Sequence, residues 1–555
     1  MEKRTLLAVV LSAAIWIAWF IIFKPEPQVV DNKAVQKTQQ EKTTQKTSDQ
    51  GSAINTPLAS NKPVSITAPE TRGSETTTLV ETEQYKAVFS NRGAVIKSML
   101  LKEKDVQVVV PQNTFAARGM LDFALHFNDN EFMNGNVLDS SYWNMTEKAN
   151  NTIRFATRII LNGVPLEIQK TFIFTEKGDS FRLEYTLINK GRSDLTLPNN
   201  SIIVSPTDLL GPSLDFTNSY NTMKGICSLN EKYKNETKGS GFFSKAGIIK
   251  KEEGNVNWIG VASRYLLVIM IPEKFSGSSM MMDNRAETGF RTGMLVPVDT
   301  MRPGGSVTKS YTVFLGEQNK DRLAAVDKKI EKAADISMLI EPIRYFVIWS
   351  LKNINKLFGN MGWSLVIFSI LTKVVFMPLT KKSTDSMKKM QALTPKINEI
   401  KAKYKDKPDV MQKEMMNMYR ENKVNPMGGC LPILLQMPFF FALYSALINS
   451  MDLWHAPFIF WIKDLSMPDT VATIAGFNVN ILPVLMTIST FLQQKLTTVD
   501  TGQSQQQKMM MTIMPLVFIF IFWSMPSGLV LYWTLQNFFQ VANQLIVNRF
   551  SKETA

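Results

Sequence analysis

Two blocks of apolar sequence constrain this chain more than anything else in it: residues 5–23, and five long runs within the last two hundred residues. The stretch between them is polar. That layout excludes an ordinary soluble protein, even though the mean hydropathy, −0.05, is near neutral. Residues 5–23 read TLLAVVLSAAIWIAWFIIF, nineteen positions without a charge. A helix of that length spans the roughly 30 Å hydrocarbon core of a bilayer. A cleaved signal peptide is the alternative, but its apolar core is usually shorter and ends in small residues. Here the run ends in Trp19-Phe20-Ile21-Ile22-Phe23, a bulky aromatic exit suited to the membrane interface. Residues 1–24 are therefore read as an uncleaved transmembrane anchor.

Residues 25–76 are rich in Gln, Lys, Thr, Ser and Pro and almost free of aromatics. Such a composition buries too little apolar area to offset the entropy of ordering, which predicts a flexible linker. From 77 to 316 the pattern changes. Ile153 and Phe155, and then Phe181, Leu183, Tyr185 and Leu187, recur at every second position, the period of a strand. Asn162-Gly163, Lys177-Gly178-Asp179 and Asn189-Lys190-Gly191 read as hairpin turns between such runs. The expectation is a large all-β sandwich over residues 77–316.

Residues 317–334 are highly charged and helical in pattern. Ile340, Ile343, Val347, Leu351, Ile354 and Phe358 then recur at helical spacing among Arg344, Lys352 and Lys356. A basic amphipathic stretch of this kind is expected to lie flat in the headgroup region; packing against the β domain is the alternative. Residues 317–360 are assigned to these two segments.

The membrane block, residues 361–548, follows with spans at about 361–380, 430–448, 477–496, 509–525 and 528–547. Residues 381–426 hold 12 Lys+Arg against 6 Asp+Glu, whereas residues 450–476 hold one Lys and three Asp. Short basic loops stay in the cytoplasm, so the first segment is inside and the second outside. Lys3 and Arg4 place the N-terminus inside as well. Six transmembrane helices then return the tail, residues 549–555, to the cytoplasm, and residues 25–360 fall outside. In a bacterium with two membranes that is the periplasm, and the chain sits in the inner membrane.

Chemistry-bearing residues are few. Only His126 and His455, and Cys227 and Cys430, are present, which leaves no Cys-rich metal module and little for a His-based one. Neither a phosphate-binding glycine loop nor a nucleophile elbow occurs. No enzyme, cofactor or nucleic-acid substrate is expected.

Lys373 is the most informative position, because it lies inside an apolar span. A charge at the bilayer centre costs roughly 2.5–3.5 kcal/mol on insertion scales. The long stem could carry the ammonium toward the cytoplasm. The other reading is a water-filled cavity lined by that ammonium, with Ser369 one turn away. Tyr532, Gln536, Gln540 and Asn543 recur along one face of the last span. Thr487, Thr490 and Gln494 mark another span, and Gln436 a third. Hydrogen bonds between helices explain each alone. Together with a cation that has no Asp or Glu in the five C-terminal spans, they describe a wet groove formed by Lys373, Ser369, Gln436, Tyr532, Gln536 and Gln540.

Met387, Met390, Leu393, Ile397 and Ile400 share one helical face. Beyond Pro408 the pattern resumes with Val410, Met411, Met415, Met418 and Tyr419. This predicts a cytoplasmic helical hairpin over 381–426 with a Met-rich seam. Its basic surface, including Lys388, Lys389, Lys401 and Lys403, suits anionic headgroups or ribosomal RNA; a merely solvated face is the alternative.

Three motifs carry a family resemblance. Asn425-Pro-Met-Gly-Gly-Cys430-Leu-Pro-Ile-Leu-Leu-Gln-Met-Pro438 opens a span, Met377-Pro378-Leu379-Thr380 closes another, and Pro526-Ser-Gly-Leu-Val-Leu-Tyr532-Trp533 joins the last two. These resemble the YidC/Oxa/Alb membrane-protein insertase family, in its Gram-negative type with a large periplasmic domain. The resemblance spans the chain. It implies a five-helix insertase core around a hydrophilic groove, open to cytoplasm and lipid and closed toward the periplasm. The implied partners are nascent hydrophobic membrane proteins, the Sec translocon (SecYEG, SecDF), the ribosome and signal-recognition targeting machinery, and membrane lipids. The family's groove cation is usually Arg. The matching Lys373 keeps the charge and loses the bidentate fork. Two adjacent tyrosines are common where this chain has Tyr532-Trp533. The family's periplasmic domain resembles sugar mutarotases, but no catalytic His/Glu pair can be placed here and no sugar chemistry is carried over. An anion transporter built on Lys373 and a periplasmic envelope-assembly scaffold are the competing functions. The short span 509–525 also implies local bilayer thinning.

Overall fold

The computed structural model describes residues 66–67, 73–109, 122–149, 151–175, 178–211, 223–237, 249–285, 289–334, 340–405, 407–422, 424, 431–474, 477–497, 515 and 517–553. The N-terminal anchor, most of the linker, Cys430, and residues 509–514 and 516 of the expected fifth span lie outside them. Two compact units divide after Ala334.

The first unit is built on a 14-stranded antiparallel sheet and a four-stranded one. Strand Ser180–Asn189 shows how the sequence writes the sheet: Phe181, Leu183, Tyr185 and Leu187 are buried, and the residues between them are exposed or half-exposed. Register places Phe181 opposite Phe174 on one neighbour and Val313 on the other. Strands Thr152–Leu161 and Val164–Phe174 are joined at Asn162-Gly163, where φ is 50° and 84°. Both values are left-handed, as a two-residue hairpin of the primed type requires. The small sheet, residues 77–109, lays Phe89 against Phe172 and Phe174, with ring centroids 5.0 and 5.9 Å apart. Tyr85 donates its hydroxyl across to the Leu315 carbonyl at 2.7 Å.

Three expectations are corrected in this unit. Ile66–Thr67, assigned to the linker, form a short strand opposite Leu161 and Ile160, because an open edge accepts any extended neighbour. Asn189-Lys190-Gly191 is not a hairpin turn; the Asn189 side chain accepts from the Gly191 amide at 2.9 Å and the chain leaves the sheet. The charged segment after residue 316 belongs to the β unit. Its helix Lys320–Val326 and 3-10 turn Lys328–Ala333 bury Leu323, Ile330 and Ala333 against Leu267, Ile269 and Ile271. That cover also explains why strand Leu266–Pro272 is an unbroken apolar run: it is buried on both faces.

The second unit is helical. Helix Glu341–Phe358 buries Val347 and Leu351 among the helices of its own unit and ends at Gly359, whose φ of 64° suits a residue without a Cβ. Its other side is also apolar, with Phe346, Trp349, Leu357 and Phe358 exposed. The expected single stripe is thus a helix with two apolar sides, one for protein and one left open.

Helix Met361–Ala392 carries Lys373 and runs without interruption past residue 380, where the hairpin was expected to begin. The polar run after Thr380 contains no breaker, so composition changes while the helix continues. Among the described residues, Met361–Ser383 is the one helix long and apolar enough, by length and composition, to cross a membrane. Helices Thr394–Lys403 and Pro408–Glu421 follow, and pack Leu393, Ile397, Met418 and Val424 together with Met390, Ile400, Met415 and Tyr419.

Helix Leu431–Asn449 comes next, then a loop ending in the hairpin Thr470–Ile474 and Phe477–Asn480. The span expected from residue 477 therefore starts only at Leu482, as helix Leu482–Thr497. The Asp469 carboxylate fixes that start by accepting from the amides of Ile481 and Leu482 at 3.0 and 2.7 Å, and Pro483 suits the first turn. The last helix, Ser527–Glu553, continues through the expected tail.

Candidate functional site

Helices Met361–Ala392 and Ser527–Glu553 meet along a polar seam. Gln536 Nε2 donates to the Ser369 carbonyl and to Thr372 Oγ1, both at 3.1 Å. One turn further along both helices, Lys373 Nζ donates to Gln540 Oε1 at 2.7 Å. The rungs ascend together, 369 to 373 against 536 to 540, so the two helices run parallel.

The rungs differ in exposure. Ser369 is wholly buried, and its hydroxyl turns back to the Leu365 carbonyl at 2.7 Å, so it offers the seam a carbonyl and not a hydroxyl. Gln536 and Thr372 are buried too. Lys373 and Gln540 are only partly buried, which makes this rung the accessible one. Tyr532 lies at the inner end with 1% of its surface exposed. Its hydroxyl is buried near Thr372 and Gln436 without closing a hydrogen bond to either. Gln436 is partly buried. The next residue, Trp533, packs in a different direction, on Phe440 at 5.2 Å and Phe522 at 5.6 Å.

Two residues escaped the sequence reading. Thr372, beside Lys373, supplies the hydroxyl to which Gln536 donates. Asn537 is next to Gln536, yet it faces helix Leu482–Thr497 and donates to Ser489 Oγ at 3.0 Å and Thr490 Oγ1 at 2.8 Å. A polar residue in an apolar span was the available signal for both. Thr487, by contrast, donates back to the Pro483 carbonyl within its own helix. In the hairpin, Lys389 and Lys403 are exposed and Lys401 is partly buried; the Lys388 side chain lies outside what is described.

The loop end of this unit is interlocked. Ser527 N donates to Met467 O at 2.7 Å and Gly528 N to Leu465 O at 2.9 Å. Trp523 Nε1 donates to Asn478 O at 2.9 Å, and Trp461 Nε1 to Asp469 Oδ2 at 2.9 Å. An added Cβ at Gly528 would lie 3.0 Å from the Leu465 oxygen, tighter than ordinary van der Waals contact. His455 Nδ1 is 3.1 Å from Asp464 in the same loop, and His126 Nε2 is 3.1 Å from Asp139 inside the β unit.

The described residues thus combine a large β-sheet unit with a helical unit whose apolar helices share a polar seam, the architecture of a membrane protein with a folded domain outside the spans. Residues 353–554 match the family of the 60Kd inner membrane protein, and residues 77–349 match the YidC periplasmic domain. The membrane protein insertase YidC of Pelobacter propionicus is 34% identical over 574 residues, covering 99% of each chain. That of Leptospira interrogans serovar Lai is 29% identical over 626 residues, covering 99% of this chain and 98% of its own. The solved structure of an active YidC insertase with its first transmembrane domain resolved shares 18% identity, covers 88% of this chain and 95% of that one, and superposes with a TM-score of 0.36. The chain belongs to the YidC family of membrane protein insertases. It is an inner-membrane, non-enzymatic insertase with a helical insertase region and a periplasmic β domain, and its substrates are nascent membrane proteins.

Proposed function

We propose that the Lys373–Gln540 rung is the point at which this insertase receives the polar flank of an incoming chain. Moving unsatisfied backbone through lipid costs several kcal/mol per group. A polar seam reaching partway into the bilayer shortens that passage. Lys373 attracts an acidic flank, and the hydrophobic segment slides past Tyr532 and its neighbours into lipid, where burial drives its release. Ser369, Gln536 and Gln436 frame the inner end of the groove. The observation that carries this reading is an intramembrane ammonium held by a neutral amide, with no carboxylate in the neighbouring spans, at the more exposed end of an otherwise buried seam.

In this reading the chain crosses the membrane six times, with both termini in the cytoplasm and the five C-terminal spans forming the core. The parallel course of helices Met361–Ala392 and Ser527–Glu553 requires an odd number of crossings between them, and the three intervening runs supply it. The interlocked loop end then faces the periplasm and closes the groove there. The basic hairpin, with Lys388, Lys389, Lys401 and Lys403, faces the ribosome, the targeting machinery and anionic lipid, and the protein works alone or beside the Sec translocon.

Replacing Lys373 tests the charge. Lys373→Arg is expected to keep insertion of a Sec-independent substrate, while Lys373→Leu lowers it roughly tenfold, the equivalent of ~1.4 kcal/mol. Protease mapping of newly made membrane proteins in depleted cells reads the outcome. Full activity of the Leu variant removes the charge from the mechanism.

A further inference from the structure

Away from the seam, helix Glu341–Phe358 and the start of the 450–476 loop enclose an open pocket of about 510 Å³, lined by Trp349, Lys352, Asn355, Lys356 and Asp452 among others. That lies within the ~300–1,000 Å³ of small-molecule sites. Three features give it chemistry. Lys352 Nζ lies 2.5 Å from Asp452 Oδ2, which anchors one ammonium at the wall. Lys356 is exposed, with only a 3.5 Å contact to Asn353 Oδ1, so most of its donor capacity is unused. Asn355 Oδ1 is buried and has no hydrogen-bond partner. A buried acceptor left without a partner is unfavourable, and a ligand's donor offsets that cost. Around the pocket the same helix exposes Phe346, Trp349 and Leu357, the last to 81%. A mouth of aromatic and aliphatic side chains beside two ammonium groups matches an amphiphile with an anionic head.

We infer that this pocket binds the headgroup of a glycerophospholipid. The phosphodiester is held by Lys356 and Lys352, a headgroup hydroxyl donates to Asn355 Oδ1, and the acyl chains lie along Phe346, Trp349 and Leu357. The proposal rests on the chain being a membrane protein and not on the Lys373 seam, so loss of insertion in Lys373 variants leaves it standing.

Delipidated full-length protein in mild detergent, titrated with single lipids and read by native mass spectrometry, tests it. Phosphatidylglycerol is the probe, phosphatidylmethanol presents the same phosphodiester without a donor, and glycerol 3-phosphate is the free head. One phosphatidylglycerol is expected per chain, bound roughly tenfold more tightly than phosphatidylmethanol. Asn355→Leu should erase that difference, and Lys356→Gln should weaken both lipids. Lys356→Gln changes an exposed side chain outside any ion pair, so it decides the question if Asn355→Leu does not fold. Unchanged binding in Lys356→Gln overturns the site. Glycerol 3-phosphate binding as tightly as phosphatidylglycerol overturns the lipid assignment.

Discussion

At the scale of single residues, two positions carry sharp expectations beyond Lys373. An added Cβ at Gly362 would fall 2.1 Å from the Phe458 ring, where the first turn of the Lys373 helix meets the 450–476 loop. Gly362→Ala should cost ~1–3 kcal/mol of stability, seen as a lower melting temperature in detergent, and Phe458→Ala should restore part of it. Lys170 is the second. It is buried in the β unit with its Nζ donating to the Gly93 carbonyl at 2.8 Å. Burial pushes its ammonium down to about 7, against the pull of Asp139 and Asp122. The unfolded chain therefore binds more protons than the folded one between about pH 7 and the ordinary lysine value near 10.5. Stability from this group rises with pH across that window. Relative to Lys170→Met, the parent should gain melting temperature between pH 7 and pH 10; a constant difference would show that the ammonium is not desolvated.

At the scale of elements, what the sequence could announce depended on whether one face or two were buried. Strand Ser180–Asn189 alternates because one face meets the core, and its period was readable. Strand Leu266–Pro272 does not alternate, and nothing local revealed that the charged segment 320–334 covers its second face. Hydropathy likewise marked the apolar runs but not where their helices begin and end. A helix stops where its backbone stops pairing, and not where its side chains turn polar, so Met361–Ala392 outran its apolar stretch. Helix Leu482–Thr497 starts late because Asp469, thirteen residues before Leu482, caps it through a folded hairpin. The polar residues of the seam were legible as a stripe, but their partners were not: Gln536 and Asn537 are adjacent and bond to different helices. The cap offers its own test. Asp469→Ala should cost about 0.5–2 kcal/mol and speed hydrogen exchange of the Ile481 and Leu482 amides, while amides in the hairpin Thr394–Glu421 stay unchanged.

At the scale of the molecule, the proposed reading puts insertion in the helical unit, so deleting the β unit should leave much of it intact. The cut matters: ending the deletion at residue 316 strands Leu323 and Ile330, which need the β sheet to cover them, and should yield an aggregating protein. Ending it at Ala334 should not. Loss of all insertion after the longer deletion would place the function in the periplasmic domain instead. The central claim, however, is that cytosolic water and substrate reach the Lys373–Gln540 rung. A photoreactive side chain placed at position 540, with ribosome-stalled chains of a membrane-protein substrate, asks this directly. The account predicts crosslinks from 540 to the polar flank preceding the substrate's hydrophobic segment, and none from a probe at 478 in the interlocked loop. Crosslinks from 478 without any from 540 would contradict it.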